Sequence, residues 1–179
     1  KACVLAVQYG MGADSLAARI NQPVVRAREL LRLHRETYRE FWAWSDAAVD
    51  RAMLRNQLHT VFGWKINVGT NPNPRFLRNF PMQANGAEML RMAISVMLDE
   101  GIKVYAPIHD AVLIEAPLDE LDEVISKAQV IMADVSDYIL TGFRLSSDVD
   151  VVKYPERYSD DRGAHLWETI IGLAADTKG

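Results

Sequence analysis

The 179-residue sequence has a single cysteine, Cys3, so it can form no internal disulfide, and no signal-peptide pattern precedes that residue. A reducing cytoplasm is the expected setting. Long apolar runs are scarce too: the longest stretch free of Asp, Glu, Lys and Arg runs from Ala2 to Ala13, far short of the roughly 20 residues a membrane-spanning helix needs. No membrane partner is expected. There is no internal repeat and no low-complexity run, and 10 Gly with 7 Pro exclude a collagen-like chain. What remains is the balance of a packed globular protein, 49% hydrophobic and 25% charged, at a length that suits one or two domains.

Charge of one sign is absent from neither half, but the halves differ. Residues 1–80 carry 12 Lys and Arg against 6 Asp and Glu, a net +6, whereas residues 81–179 carry 8 against 18, a net −10. A basic half can follow a phosphate backbone and an acidic half can hold cations, although solvated helix faces are the simpler account of both.

Lys1 to Tyr9 reads as the end of a helix stopped by Gly10 and Gly12, with Asp14 expected to cap a short helix over Ser15–Ile20. From Pro23 to about Arg55 no Pro or Gly interrupts a near 3.6-residue apolar period, which predicts one long helix or two nearly continuous ones. Arginines 26, 28, 32, 35 and 39 give it a basic flank. Leu58–Val68 around Gly63 reads as a β-hairpin, and Thr70–Pro74 as a loop. A helix is expected from about Gln83 to Glu100, with Met89, Met92, Ala93, Val96 and Met97 on its apolar face. Lys103–Ile108 and Ala111–Ala116 read as two buried strands separated only by His109 and Asp110. An acidic amphipathic helix follows over Asp119 to about Leu140, then a last strand at Val149–Lys153 and a helix at Leu166–Ala174.

Three clusters bear on chemistry. His109-Asp110 pushes a carboxylate out at a tight turn; a plain turn and a metal site fit these residues equally, and one carboxylate cannot hold two catalytic ions about 3.5–4 Å apart. Lys1, Leu5 and Tyr9, four apart, share a helix face that suits a nucleotide, with phosphates at the ammonium and a base or sugar at the ring; a snorkelling Lys and a packed Tyr account for the spacing as well. Arg75, Arg78, Asn79 and Gln83 cluster around Pro81, where they suit base edges or phosphates as readily as capping and solvation. Gly10-Met11-Gly12 lacks both a preceding strand and a third glycine, so it is no dinucleotide fingerprint.

Taken in order, these pieces resemble the C-terminal part of a family A DNA polymerase of the bacterial polymerase I and phage type. Lys1, Tyr9 and Gly10 are similar to the second half of motif B on the fingers helix. Asn79-Phe80-Pro81-Met82-Gln83, followed by Gly86-Ala87-Glu88, resembles the segment that opens the helix joining fingers to palm. Ile108-His109-Asp110, followed by Val112 and Leu113, resembles motif C. The likeness runs from Lys1 to about Tyr154.

The resemblance implies an α+β fold: a partial fingers subdomain over residues 1–75, then the C-terminal part of a palm over 76–179 with an antiparallel sheet and packed helices. It implies template-directed nucleotidyl transfer from deoxynucleotides to a primer 3′-hydroxyl in bacterial or phage-like replication or repair. Lys1 would contact the triphosphate, Leu5 and Tyr9 the nucleotide and nascent pair, and Arg75, Asn79 and Gln83 the primer–template DNA. His109 would sit near the primer terminus, and Asp110 would bind catalytic Mg2+ ions, two in the complete enzyme. Leu5 stands where the family usually has Phe or Tyr, and Ala111 where an acidic residue commonly follows the motif C Asp. Motif A and the Arg that opens motif B belong upstream of Lys1, so a fragment inactive alone is expected, with an open sheet edge that favours self-association. Two other classes stay open: a metal-dependent phosphohydrolase built on His109-Asp110, although His34, His59 and His165 lie in unrelated contexts, and a non-catalytic DNA-binding or interaction domain using the basic helix.

Overall fold

Gly10, at φ +83, ends the first helix, α1 (Ala2–Gln8), in a conformation that L side chains rarely adopt. The structure, a computed structural model, describes residues 2–158 and 161–176; Lys1 lies outside the described residues. Helix α2 (Ala13–Ile20) starts before the expected position, because Gly12 in extended backbone supplies the N-cap. Asp14 therefore makes no side-chain cap, and stands instead in the first turn, where its charge suits the helix dipole. The long periodic stretch is two helices, α3 (Val24–Thr37) and α4 (Arg39–Arg55), broken at Tyr38. Val7, Leu16, Ala17 and Ala27 form a small core among α1, α2 and α3, with Leu30, Leu31 and Trp42 packed on it.

Side-chain bonds pin the break at Tyr38. Trp42 Nε1 donates to His34 Nδ1 at 3.1 Å, and both Arg35 and Arg78 pair with Asp46, at 2.5 and 2.6 Å. The expected basic flank is neutralised in part: Arg32 pairs with Glu29 and Glu36 and Arg35 with Asp46, while Arg39 donates to the Glu36 backbone carbonyl and keeps its charge. Arg26 and Arg28 make no ion pair among the described residues.

Strands β1 (Gln57–His59) and β2 (Lys65–Asn67) pair antiparallel as the predicted hairpin. Helix α5 (Pro74–Asp99) begins nine residues before Gln83, the expected start. Asn73 caps it by accepting from the Arg75 N–H at 2.9 Å, and Pro74 suits the first turn, where its missing N–H is no loss. Pro81, two residues before the expected start, lies inside it. The burial of Leu77, with Phe80 packed beside it, against Ala52 of α4 and Leu58 of β1 offsets a disruption that in helix interiors costs about 3 kcal/mol.

The rest is built on the C-terminal half of α5. Strands β3 (Lys103–Ile108) and β4 (Ala111–Glu115) pair antiparallel, and α6 (Leu121–Ile139) packs against α5. Ala93 and Met97 of α5 join Ile102 and α6 residues Ala128, Ile131, Val135 and Ile139 in the largest core. The hairpin is not buried on both sides as expected. Val104, Val112 and Ile114 face this core, while Tyr105, Ile108 and Leu113 are exposed, the pattern of an antiparallel ribbon covered on one face. Val149–Lys153 forms no strand: no described strand pairs with it, and unpaired backbone groups have no ladder to join. Helix α7 (Asp161–Asp176) is longer at both ends than expected. The architecture is α+β, with two small antiparallel sheets among helices.

Candidate functional site

Arg75, Asn79 and Gln83 stand four residues apart on α5, so each advances about 40° and the three share one face. That face meets the end of α1. Arg75 Nη2 donates to the Gly10 carbonyl at 2.6 Å, Asn79 Nδ2 lies 3.4 Å from the Tyr9 carbonyl, and Gln83 Nε2 donates to the Tyr9 hydroxyl at 2.9 Å. The approach at Gly10 is close, since a Cβ there would stand 3.3 Å from both Cγ and Nε of Arg75. The Asn79 Oδ1 atom is buried and has no hydrogen-bond partner. An unpaired buried acceptor costs about 1–3 kcal/mol.

Leu5 and Tyr9 follow one another on α1 with 46% and 43% of their surface exposed, so both are open to a ligand. They line a groove of about 510 Å³ whose other walls include Met11, Ser15, Arg19 and Arg75. The groove thus combines apolar and aromatic side chains with two guanidinium groups, a composition that suits an apolar ligand carrying negative charge. Lys1, the remaining member of the predicted face, is outside the described residues. Sequence reasoning does not single out Arg19; its spacing of four from Ser15, which also lines the groove, is the available signal.

His109 and Asp110 form the two-residue turn between the paired residues Ile108 and Ala111. His109 holds φ +59, a region where Asn, Asp and His are the commonest non-glycine residues. Asp110 is exposed at the tip. Among the described residues no hydrogen bond or ion pair joins this turn to the Tyr9 cluster. Nor does any group of three or more His, Cys, Asp and Glu capable of holding a metal occur among them. A lone carboxylate does not fit a two-ion centre, and the phosphohydrolase alternative finds no ligand cage here.

Arg78, which the sequence grouped with the row, faces another way. It pairs with Asp46, donates to Ser45 Oγ at 3.0 Å, and stands over the Trp42 ring at 5.8 Å. A position three residues from Arg75 and five from Gln83 lies on a different flank of the helix.

Comparison with known proteins gives a consistent answer. The family model described as DNA polymerase family A matches residues 1–152. DNA polymerase I of Deinococcus radiodurans is 27% identical over 143 residues, 72% of this chain and 15% of that protein. The thermostable DNA polymerase I of Thermus thermophilus is 24% identical over 142 residues, 72% of this chain and 17% of that protein. The chain therefore spans about a sixth of the length of these relatives. Among solved structures, the POL domain of Pol1 from M. smegmatis, in complex with DNA primer-template and dNTP, superposes with a TM-score of 0.65 at 19% identity, covering 75% of this chain and 26% of that one.

Proposed function

We propose, because this chain belongs to DNA polymerase family A, that it works as the fingers-and-palm portion of a longer polypeptide that copies a DNA template by nucleotidyl transfer from deoxynucleotides to a primer 3′-hydroxyl. Residues 1–75 would form the fingers part and 76–179 the palm part, with α5 running from one into the other. The observation that carries this reading is the junction of α1 and α5: the residues proposed for the nucleotide side and those proposed for the duplex side touch one another through Tyr9 and Gln83.

In this reading Arg75, Asn79 and Gln83 present a guanidinium and two amides along one face, donors and an acceptor suited to a nucleic-acid minor groove. Leu5 and Tyr9 give the nascent pair an apolar surface, and Lys1 supplies a cation for the triphosphate. His109 lies beside the primer terminus. Asp110 is one carboxylate ligand for Mg2+, which lowers the pKa of the primer hydroxyl and screens phosphate charge when bound. The further ligands come from a part of the polymerase beyond these 179 residues.

The test is primer extension with Mg2+, a primed template and four deoxynucleotides, by this chain and by a longer polypeptide that adds the family's upstream polymerase segment. Activity confined to the longer polypeptide and lost in Asp110→Ala supports the reading. Activity in neither, with both folded, overturns it in favour of a DNA-binding module on a polymerase-like scaffold.

A further inference from the structure

Pro81 has no N–H, so the Leu77 carbonyl one turn earlier loses its helical partner, and the backbone of α5 is interrupted between the turn that carries Arg75 and Asn79 and the turn that carries Gln83. The two parts of the row are therefore not held in line by a continuous helical ladder. The β1–β2 hairpin touches α5 on both sides of the interruption. Before it, Leu58 and Ile66 pack with Leu77 and Phe80. After it, the 60–64 turn is bolted down by polar bonds: Val61 N donates to Asn85 Oδ1 at 2.9 Å, and Thr60 Oγ1 donates to Glu88 Oε1 at 2.7 Å. Asn85 Nδ2 in turn donates to the Pro81 carbonyl at 2.7 Å.

Glu88 is the centre of this fastening. It is 3% exposed, so its carboxylate is held away from water and its partners matter. Its second oxygen pairs with Arg91, whose guanidinium stands 5.3 Å from the centre of the Trp64 ring in the same turn. The Thr60 hydroxyl that it receives also accepts from the Trp64 N–H at 3.0 Å, so one carboxylate fixes both the turn's internal geometry and its place on the helix.

We propose that the β1–β2 hairpin is a splint across Pro81 and that Glu88 is its positioning residue, setting the angle between Arg75 and Asn79 on one side and Gln83 on the other. The consequence for DNA rests on the assignment of that row to primer–template; the splint itself does not. Glu88 touches no substrate and acts through α5.

The experiment uses the full 179-residue chain with Glu88→Gln, which keeps the shape and an acceptor for Thr60 but removes the charge that holds Arg91. Pro81→Ala, which restores the backbone N–H, is the matched background. Two readouts are taken: primer–template affinity by fluorescence anisotropy, and the distance across α5 between spin labels at exposed positions 76 and 99 in a Cys3→Ser chain. The expected result is a broadened label distance and an affinity about tenfold weaker in Glu88→Gln, with both effects absent when Pro81→Ala is also present. Thr60→Val should reproduce the same pattern from the other partner. An unchanged distance in folded Glu88→Gln protein overturns the splint, as does a loss of affinity that is equal with and without Pro81→Ala. If the distance responds but neither Glu88→Gln nor Gln83→Ala alters affinity, the splint stands and the DNA assignment of the row fails.

Discussion

The Gln83 side-chain amide donates to the Tyr9 hydroxyl at 2.9 Å, joining residues 74 positions apart and tying the end of α1 to the face of α5. The adjoining bond from Arg75 to the Gly10 carbonyl, at 2.6 Å, makes the tie two-pointed. Two side chains of different chemistry thus occupy one row, and they separate two kinds of nucleic-acid contact. If the row binds primer–template, Gln83→Ala should weaken affinity by up to about tenfold and leave its salt dependence unchanged, because an amide releases no counterions. Arg75→Ala should reduce the slope of log affinity against log salt by about one if the guanidinium meets a phosphate. A salt titration of both variants checks this, and identical slopes would deny Arg75 a phosphate contact.

Gly10 adds a prediction about stability rather than binding. At φ +83 an alanine is strained, and its Cβ would crowd the Arg75 side chain at 3.3 Å. Gly10→Ala should lower unfolding free energy by about 1–2 kcal/mol in urea titrations. Arg75→Ala in the same chain should recover little of that loss, because the flexible guanidinium stem can give way while the backbone cannot.

His34 makes stability depend on pH. It is 8% exposed, its Nδ1 accepts from Trp42, and its Nε2 is buried without a partner, so burial pushes its pKa below the usual imidazole value. The unfolded chain then binds a proton that the folded chain resists. Above the unfolded pKa both states are neutral and stability is complete; as pH falls below about 6.5 the unfolded state gains protons first and stability declines. The urea midpoint should therefore fall between pH 7 and 5.5, and that slope should shrink in His34→Phe even though the variant is less stable at every pH for want of a Trp42 acceptor. A slope unchanged by the substitution would place the titration elsewhere.

Local pattern made much of this fold legible. The two hairpins announced themselves through apolar runs bounded by Gly63 or by His109-Asp110, and the α3–α4 stretch through an uninterrupted 3.6-residue period. Misreadings arose where a local rule lost to packing. Pro81 marks a helix boundary by propensity, yet burial of Leu77 and capping by Asn73 carry α5 through it. Val149–Lys153 has strand composition but no described partner. Arg78 sits in a cluster by sequence and on another flank by helical phase. The site was half legible. The sequence gathers Arg75, Asn79 and Gln83 around Pro81, but with the helix expected only from Gln83 their common face was not legible, nothing local connects them to Tyr9, and the Thr60–Glu88 bond spans 28 positions. Such contacts depend on how the helices pack, which periodicity does not encode.

Neither residue of the β3–β4 turn, His109 or Asp110, is expected to be needed for folding. His109 occupies φ +59, where glycine is unstrained, so His109→Gly should leave stability unchanged or raise it by up to about 1 kcal/mol, the relief at φ being partly offset by the greater freedom of glycine in the unfolded chain. The role proposed for His109 is beside the primer terminus, not in the fold. In the longer polymerase polypeptide, His109→Gly should therefore lower extension rate while thermal unfolding stays the same or shifts upward. Asp110→Ala at the exposed tip should leave stability nearly untouched, since the carboxylate makes no ion pair among the described residues, yet reduce the rate about a thousandfold or more with primer–template affinity largely kept. Single-turnover extension alongside anisotropy distinguishes the two losses. A near-normal rate for Asp110→Ala would remove the metal role from this turn and leave its carboxylate as ordinary turn chemistry.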